Sequence, residues 1–127
     1  MKRSDFDLDF RHGKQAEGWV ELLIRTLEVK RDRQWAKTGN IYIETESRNS
    51  GVWEPSGLAA TKAGHFGIVI GSNECPACVV VPTSVLGTAL MGGEPRTCDL
   101  EPNPTRGRLV RLSDIFLALR AAARVGT

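Results

Sequence analysis

Glu28-Val29-Lys30 is the stretch of this sequence whose residue types and spacing speak most directly of chemistry. In an extended chain, side chains two positions apart project to the same side, so the Glu28 carboxylate and the Lys30 ammonium share a face. Glu44 lies in a second alternating stretch, and if the two stretches pair as strands it comes near Glu28. Glu17 sits in a helical pattern whose end feeds directly into the Glu28 segment. Two or three converging carboxylates offer what a hard divalent cation needs: oxygen ligands, with positions left open for water and a phosphate. A lysine beside them orients an attacking water or offsets charge on a phosphorane-like transition state. The alternative is an ordinary ion pair on an exposed sheet face, since E-x-K is frequent by chance.

The surrounding elements decide whether these groups meet. Within residues 13–24, Ala16, Val20, Leu23 and Ile24 recur at helical spacing and predict an amphipathic helix. Residues 26–31 switch to period two, with Leu27 and Val29 opposing Glu28 and Lys30. Residues 40–46 alternate again, Ile41, Ile43 and Thr45 against Tyr42, Glu44 and Glu46, and Gly39-Asn40 marks their entry. This reads as a helix and two half-buried strands joined by a basic loop. Residues 47–57, rich in Ser, Asn, Gly and Pro, read as a surface loop. A short helix is expected over 58–64, strands over 65–70 and 78–81, and a helix over 83–91 that Gly92-Gly93 stops. A strand over 108–112 leads to a last helix from Ser113, with Asp114 in its first turn. The order implies an α/β or α+β core in one domain over residues 1–127, without repeats or linkers.

The 127 residues are 41% hydrophobic, which excludes a disordered chain, and no apolar run is long enough to span a bilayer. The first ten residues have no hydrophobic signal region, and three cysteines do not make a disulfide framework, so the expected compartment is the cytoplasm. The net charge of +2 is unevenly placed, with ten of the 17 Lys and Arg residues in the first 50 positions. Lys30, Arg31, Arg33 and Lys37 cluster around Trp35. A basic cluster carrying an aromatic suits a phosphate backbone, and a solvated loop is the plainer alternative.

The stretch from Glu28 to Glu44, EVKRDRQWAKTGNIYIE, and the segment PSGLAATKA from Pro55 to Ala63 resemble small phage and prophage nucleases of the PD-(D/E)XK superfamily. The segment NPTRGRLV from Asn103 to Val110 resembles the stretch such proteins carry before their last helix, and the resemblance extends over residues 5–118. It implies a restriction-endonuclease-like core, a central mixed β-sheet flanked by helices, and hydrolysis of DNA phosphodiesters with Mg2+ or Mn2+. Holliday-junction resolvases belong to the same superfamily. By this resemblance Glu28 and Glu44 are metal ligands, Glu17 is the helix-borne acid and Lys30 the catalytic lysine, and the Thr45 carbonyl completes the coordination. DNA contacts fall to Arg31, Arg33, Lys37, Arg48 and Lys62. A homodimer is also implied.

The motif departs from the family's usual order, because no lysine stands two positions after Glu44. In one register Glu28-x-Lys30 is the full motif and Asp7 or Asp9 is the upstream acid. In the other, which keeps the helix–strand–strand order, Glu28 and Glu44 are the paired carboxylates, and the lysine is Lys30 or Lys62. An inactive module on the same fold that binds DNA or a protein, and a small dimeric assembly protein joined through residues 75–98, are the other function classes.

Other features carry less. Cys75-Pro-Ala-Cys78 is a single C-x-x-C, with Cys98 and His65 as distant further ligands, where structural zinc normally takes two pairs. A Cys75–Cys78 disulfide is compatible with the spacing. His12 lies among Arg11 and Lys14 as a phosphate contact or an exposed side chain, and no Ser or Cys stands beside a histidine to form a triad. Gly64, Gly67 and Gly71 match no phosphate-binding loop. Tyr42 shares a strand face with Glu44, where it either flanks the site or is simply a half-buried aromatic, and Trp19 and Trp53 read as packing or loop-cover residues.

Overall fold

The computed structural model describes residues 3–125, with side chains from Phe10 onward, so the Asp7 and Asp9 side chains lie outside the described residues. The chain runs α1 (Arg3–Arg25), β1 (Leu27–Arg31), α2 (Trp35–Thr38), β2 (Asn40–Asn49) and β3 (Val52–Pro55). A 3-10 turn (Gly57–Ala59) follows, then β4 (His65–Gly71), β5 (Pro76–Pro82), α3 (Thr83–Leu90), β6 (Glu94–Cys98), β7 (Thr105–Arg111) and α4 (Leu112–Val125). This is a mixed α/β structure with four α-helices among the described residues and two sheets, ordered β1-β4-β5 and β3-β2-β7-β6. None of the helices is long and apolar enough to cross a membrane.

The expected pairing of the two site-bearing strands does not form. β1 pairs in parallel with β4, Glu28 opposite Phe66 and Lys30 opposite Ile68, whereas β2 pairs antiparallel with β3 and β7. The cause lies in β4, His-Phe-Gly-Ile-Val-Ile-Gly, whose Phe66, Ile68 and Ile70 are buried. Such a strand belongs at a sheet centre, and β1 and β5 take its two edges. The chain between β1 and β2 turns through α2 instead of a tight hairpin, and Gly39 ends it in the left-handed region at φ 73°. Two sheets therefore stand where one central mixed sheet is expected, and only the β1-β4-β5 sheet is mixed.

Three further differences are local. Residues 47–57 are mostly a hairpin, because Ser50 and Gly51 both have positive φ and close β2 onto β3 in two residues. The expected helix over 58–64 is only the 3-10 turn, after which residues 61–63 are irregular. β6 has no counterpart in the sequence reading: Glu94-Pro-Arg-Thr-Cys has no apolar alternation and is an edge strand, where Pro95 is tolerated.

The core joins both sheets. Ile41 and Ile43 of β2 and Val110 of β7 pack with Phe66, Ile68 and Ile70 of β4 and Val81 of β5. Val85, Leu86 and Ala89 of α3 and Ile115 of α4 close the cluster. By contrast α1 packs closely against no other element among the described residues, and of its described side chains only Leu23 is half-buried.

Candidate active site

A cavity of about 190 Å³ opens where the end of β1 meets the free edge of β2. Lys30, Arg31 and Asp32 form one wall, Ile41 to Glu44 the other, with Phe66 and Ile68 behind and Gly57 closing one side. The edge of β2 is free here because β3 pairs with it only from Glu46 onward. Asp32 takes the place of a neighbouring strand: its Oδ2 accepts the Tyr42 backbone N–H at 2.8 Å and its Oδ1 accepts the Gln34 N–H at 2.9 Å. Its Oδ2 thus fastens the end of β1 to β2 while its Oδ1 fixes the turn into α2, which makes Asp32 a positioning residue. The sequence reading passed over it; its one signal is an acid placed between Arg31 and Arg33.

Glu44 is held by close backbone approaches. A Cβ on Gly107 would overlap the Ile43 carbonyl, and one on Gly57, whose φ is +53°, would overlap the Glu44 carbonyl. Only glycine fits either place. The β2–β7 register shifts between Glu44 and Glu46, a bulge of the sort that re-aims side chains. The Thr45 carbonyl accepts the Ser56 N–H at 2.9 Å, so one of its lone pairs is already engaged.

Glu28 and Lys30 do share a face of β1, with Lys30 Nζ 3.7 Å from Glu28 Oε1. The Glu28 side chain is 30% exposed, and its Oε2 is buried without any hydrogen-bond partner. A charged acceptor left so costs stability unless a ligand satisfies it. Lys30 contacts Glu28 and lines the cavity that Glu44 lines, whereas Glu28 itself is not among the lining residues.

Tyr42 is the aromatic of this wall. Burial, chiefly, pushes its phenol above the ordinary value; the Cys98 and Glu44 charges add to the shift, and the Thr105 hydroxyl, 2.8 Å from the phenol oxygen, pulls it back.

The remaining expected residues divide. Arg31 lines the cavity and donates to the Asn73 side chain at 2.6 Å, while Arg33 and Lys37 are exposed on the turn beyond. Lys62 is exposed in the irregular segment and is not among the cavity's lining residues. Glu17 points away into solvent on α1, 69% exposed and 3.7 Å from Lys14. The structure does not bring it to the cavity. Arg48 is exposed near the far end of β2. Cys75, Cys78 and Cys98 are free thiols, and no group of three His, Cys, Asp or Glu side chains among the described residues is arranged to hold a metal. No protein-family model, curated protein or solved structure matches the chain.

Proposed function

We propose that this cavity is the active site of a nuclease that hydrolyses DNA phosphodiesters with a divalent cation, on a restriction-endonuclease-like core in which β1 and the free edge of β2 act as the diverging strands. The observation that carries the reading is the buried, unpartnered Oε2 of Glu28 beside Lys30, whose side chain reaches the cavity lined by Glu44. Mg2+ takes one or two protein carboxylates and fills its other positions with water and phosphate oxygens. Glu28 and Glu44 fit that donor set, and Glu17 is not required for it. When bound, Mg2+ or Mn2+ would neutralise charge on the phosphate and promote attack by water.

The protein's own groups supply the rest. Lys30 offsets the negative charge that grows on the scissile phosphate or orients the attacking water. Arg31 at the mouth, with Arg33 and Lys37 on the next turn, holds flanking phosphates, so affinity falls as salt rises. Asp32 keeps Glu44 and Lys30 in register. A homodimer belongs to this reading, since cutting both strands takes two sites.

A second reading is a binding module that keeps the fold without cutting. It is favoured by the outward position of Glu17, which leaves two carboxylates where three were expected. Incubation with linear and branched DNA, in Mg2+ or in EDTA, separates the two. Metal-dependent cleavage should fall by about 100-fold or more in Glu28→Ala, Glu44→Ala and Lys30→Ala. Equal cleavage by these variants, or none by the wild type, would overturn the enzyme reading.

A further inference from the structure

The face of the four-stranded sheet that carries Glu44 holds a second concavity, of about 340 Å³. Asp32, Gln34 and Thr38 make one wall, Arg96 and Cys98 of β6 the other, and Tyr42 and Leu109 the floor between them. The strand register puts the sheet residues on one face: Tyr42 is level with Leu109, Glu44 with Gly107 and Arg96, and Ser47 with Thr105 and Cys98. Asp32 and Tyr42 line the Glu44 cavity as well, so the two hollows adjoin. The volume lies in the lower part of the range for ligand pockets, about 300–1,000 Å³.

Tyr42 lies in an unusual way for a strand residue. It stands level with Leu109, yet its hydroxyl is 2.8 Å from the hydroxyl of Thr105, four residues along β7. Successive side chains on one strand face are about 6.6 Å apart, so a phenol that reaches Thr105 runs along the sheet and does not stand off it. Gly107, on the way, has no side chain to lift the ring. The half-buried ring is thus tethered at its tip, between Glu44 on one side and Arg96 on the other. Arg96 is exposed and, among the described residues, forms no ion pair, not even with Glu94 on the same face. An aromatic ring laid along a sheet beside a free cation suits a single strand, whose base stacks on the ring while the cation takes a phosphate. Gln34 and Asn40 add side-chain amides that can donate to and accept from a base edge.

We propose that this concavity seats an unpaired base of the DNA strand whose scissile phosphate lies beside Glu44, with the base stacked on Tyr42 and a neighbouring phosphate on Arg96. The strand's position relative to the cut rests on the nuclease reading, whereas the stacking site stands on Tyr42 and Arg96. Glu44 and Arg96 flank β7 from opposite sides, two strand spacings apart, about 9.6 Å. Bases inside a duplex are stacked on one another, so only an unpaired base can lie against Tyr42. The substrate class is therefore single-stranded DNA, or branched DNA with unpaired nucleotides at the cut.

The test is fluorescence anisotropy in EDTA over a range of salt, with a fluorescein-labelled DNA single strand of about 20 nucleotides and its duplex as probes. Tyr42→Leu, which keeps an apolar side chain without a stacking face, should weaken single-strand binding about tenfold and leave duplex binding nearly unchanged. Tyr42→Phe keeps the ring and should keep most of the affinity. Arg96→Ala, at an exposed position, should shrink the slope of log affinity against log salt by about 0.7 for the single strand. Unchanged single-strand affinity in Tyr42→Leu would overturn the proposal, as would equal losses on strand and duplex, equal losses in the Leu and Phe variants, or an unchanged slope in Arg96→Ala. Competition by dAMP at the oligonucleotide's own concentration would also overturn it, by marking a site for free nucleotides. Thermal melts of each variant exclude unfolding as the cause. Cleavage in Mg2+ is scored separately. The expected losses without any wild-type cleavage keep the stacking site and remove the nuclease, and intact binding in Tyr42→Leu beside wild-type cleavage does the reverse.

Discussion

Tyr42 offers a direct report on the charge beside it, because it is the chain's one tyrosine. Its phenol is raised first by burial and then by the Cys98 and Glu44 charges, against the Thr105 hydroxyl that favours the ionised form. Absorbance at 295 nm against pH should therefore give a single tyrosine titration with its midpoint above the ordinary value of about 10. Glu44→Gln should bring the midpoint down without restoring the ordinary value, since burial remains, and Thr105→Val should move it further up. The stability consequence has a definite sign. The folded state holds this proton more tightly than the unfolded chain, so the contribution is complete below the unfolded value near 10 and is lost as pH climbs through the folded one. A midpoint that ignores Glu44→Gln would mean that the carboxylate does not face Tyr42, and the cavity wall would need redrawing.

Among the elements, the seam between β1 and β2 has most to do with function, and it is the part the sequence rendered least well. Period two marked both strands, and Glu28 and Lys30 do share a face. Period two carries no information about partners, however. It could not reveal that β4 would claim β1, or that Asp32 would cap the free edge of β2. The helix pattern that carries Glu17 was legible too, but amphipathic spacing does not say which neighbour, if any, covers a helix. The Ser50-Gly51 turn was hidden in a polar stretch, where composition suggests a loop although both residues have hairpin dihedrals. Asp32 gives the seam a measurable energy. Asp32→Ala leaves the Tyr42 and Gln34 N–H groups without their acceptor and should lower stability by about 1–2 kcal/mol in urea unfolding. Asp32→Asn, which keeps an acceptor oxygen, should fall between. A wild-type urea midpoint in Asp32→Ala would show that water replaces the carboxylate and that the seam needs no fastening.

At the scale of the whole molecule, the chain divides into a body and an appendage. Both sheets, α3 and α4 share one buried cluster, so the loss of any part of it is felt by both. α1 is 23 residues long yet, among the described residues, packs closely against no other element, and its described side chains, Leu23 apart, are exposed. Helices without tertiary contacts rest on propensity alone, and Gly13 and Gly18 each weaken this one by about 1 kcal/mol relative to alanine. Native-state hydrogen exchange should separate the two regimes. Amides of α1 should exchange by local opening, orders of magnitude faster than those of β4 and of α4 around Ile115. Leu86→Ala, which empties a fully buried position in α3, should cost about 2–5 kcal/mol and accelerate exchange in both sheets together. The rates in α1 should not change. Exchange in α1 that slows to the core's rate, or that follows Leu86→Ala, would mean that the helix is seated on the body and that its exposed face is covered in solution.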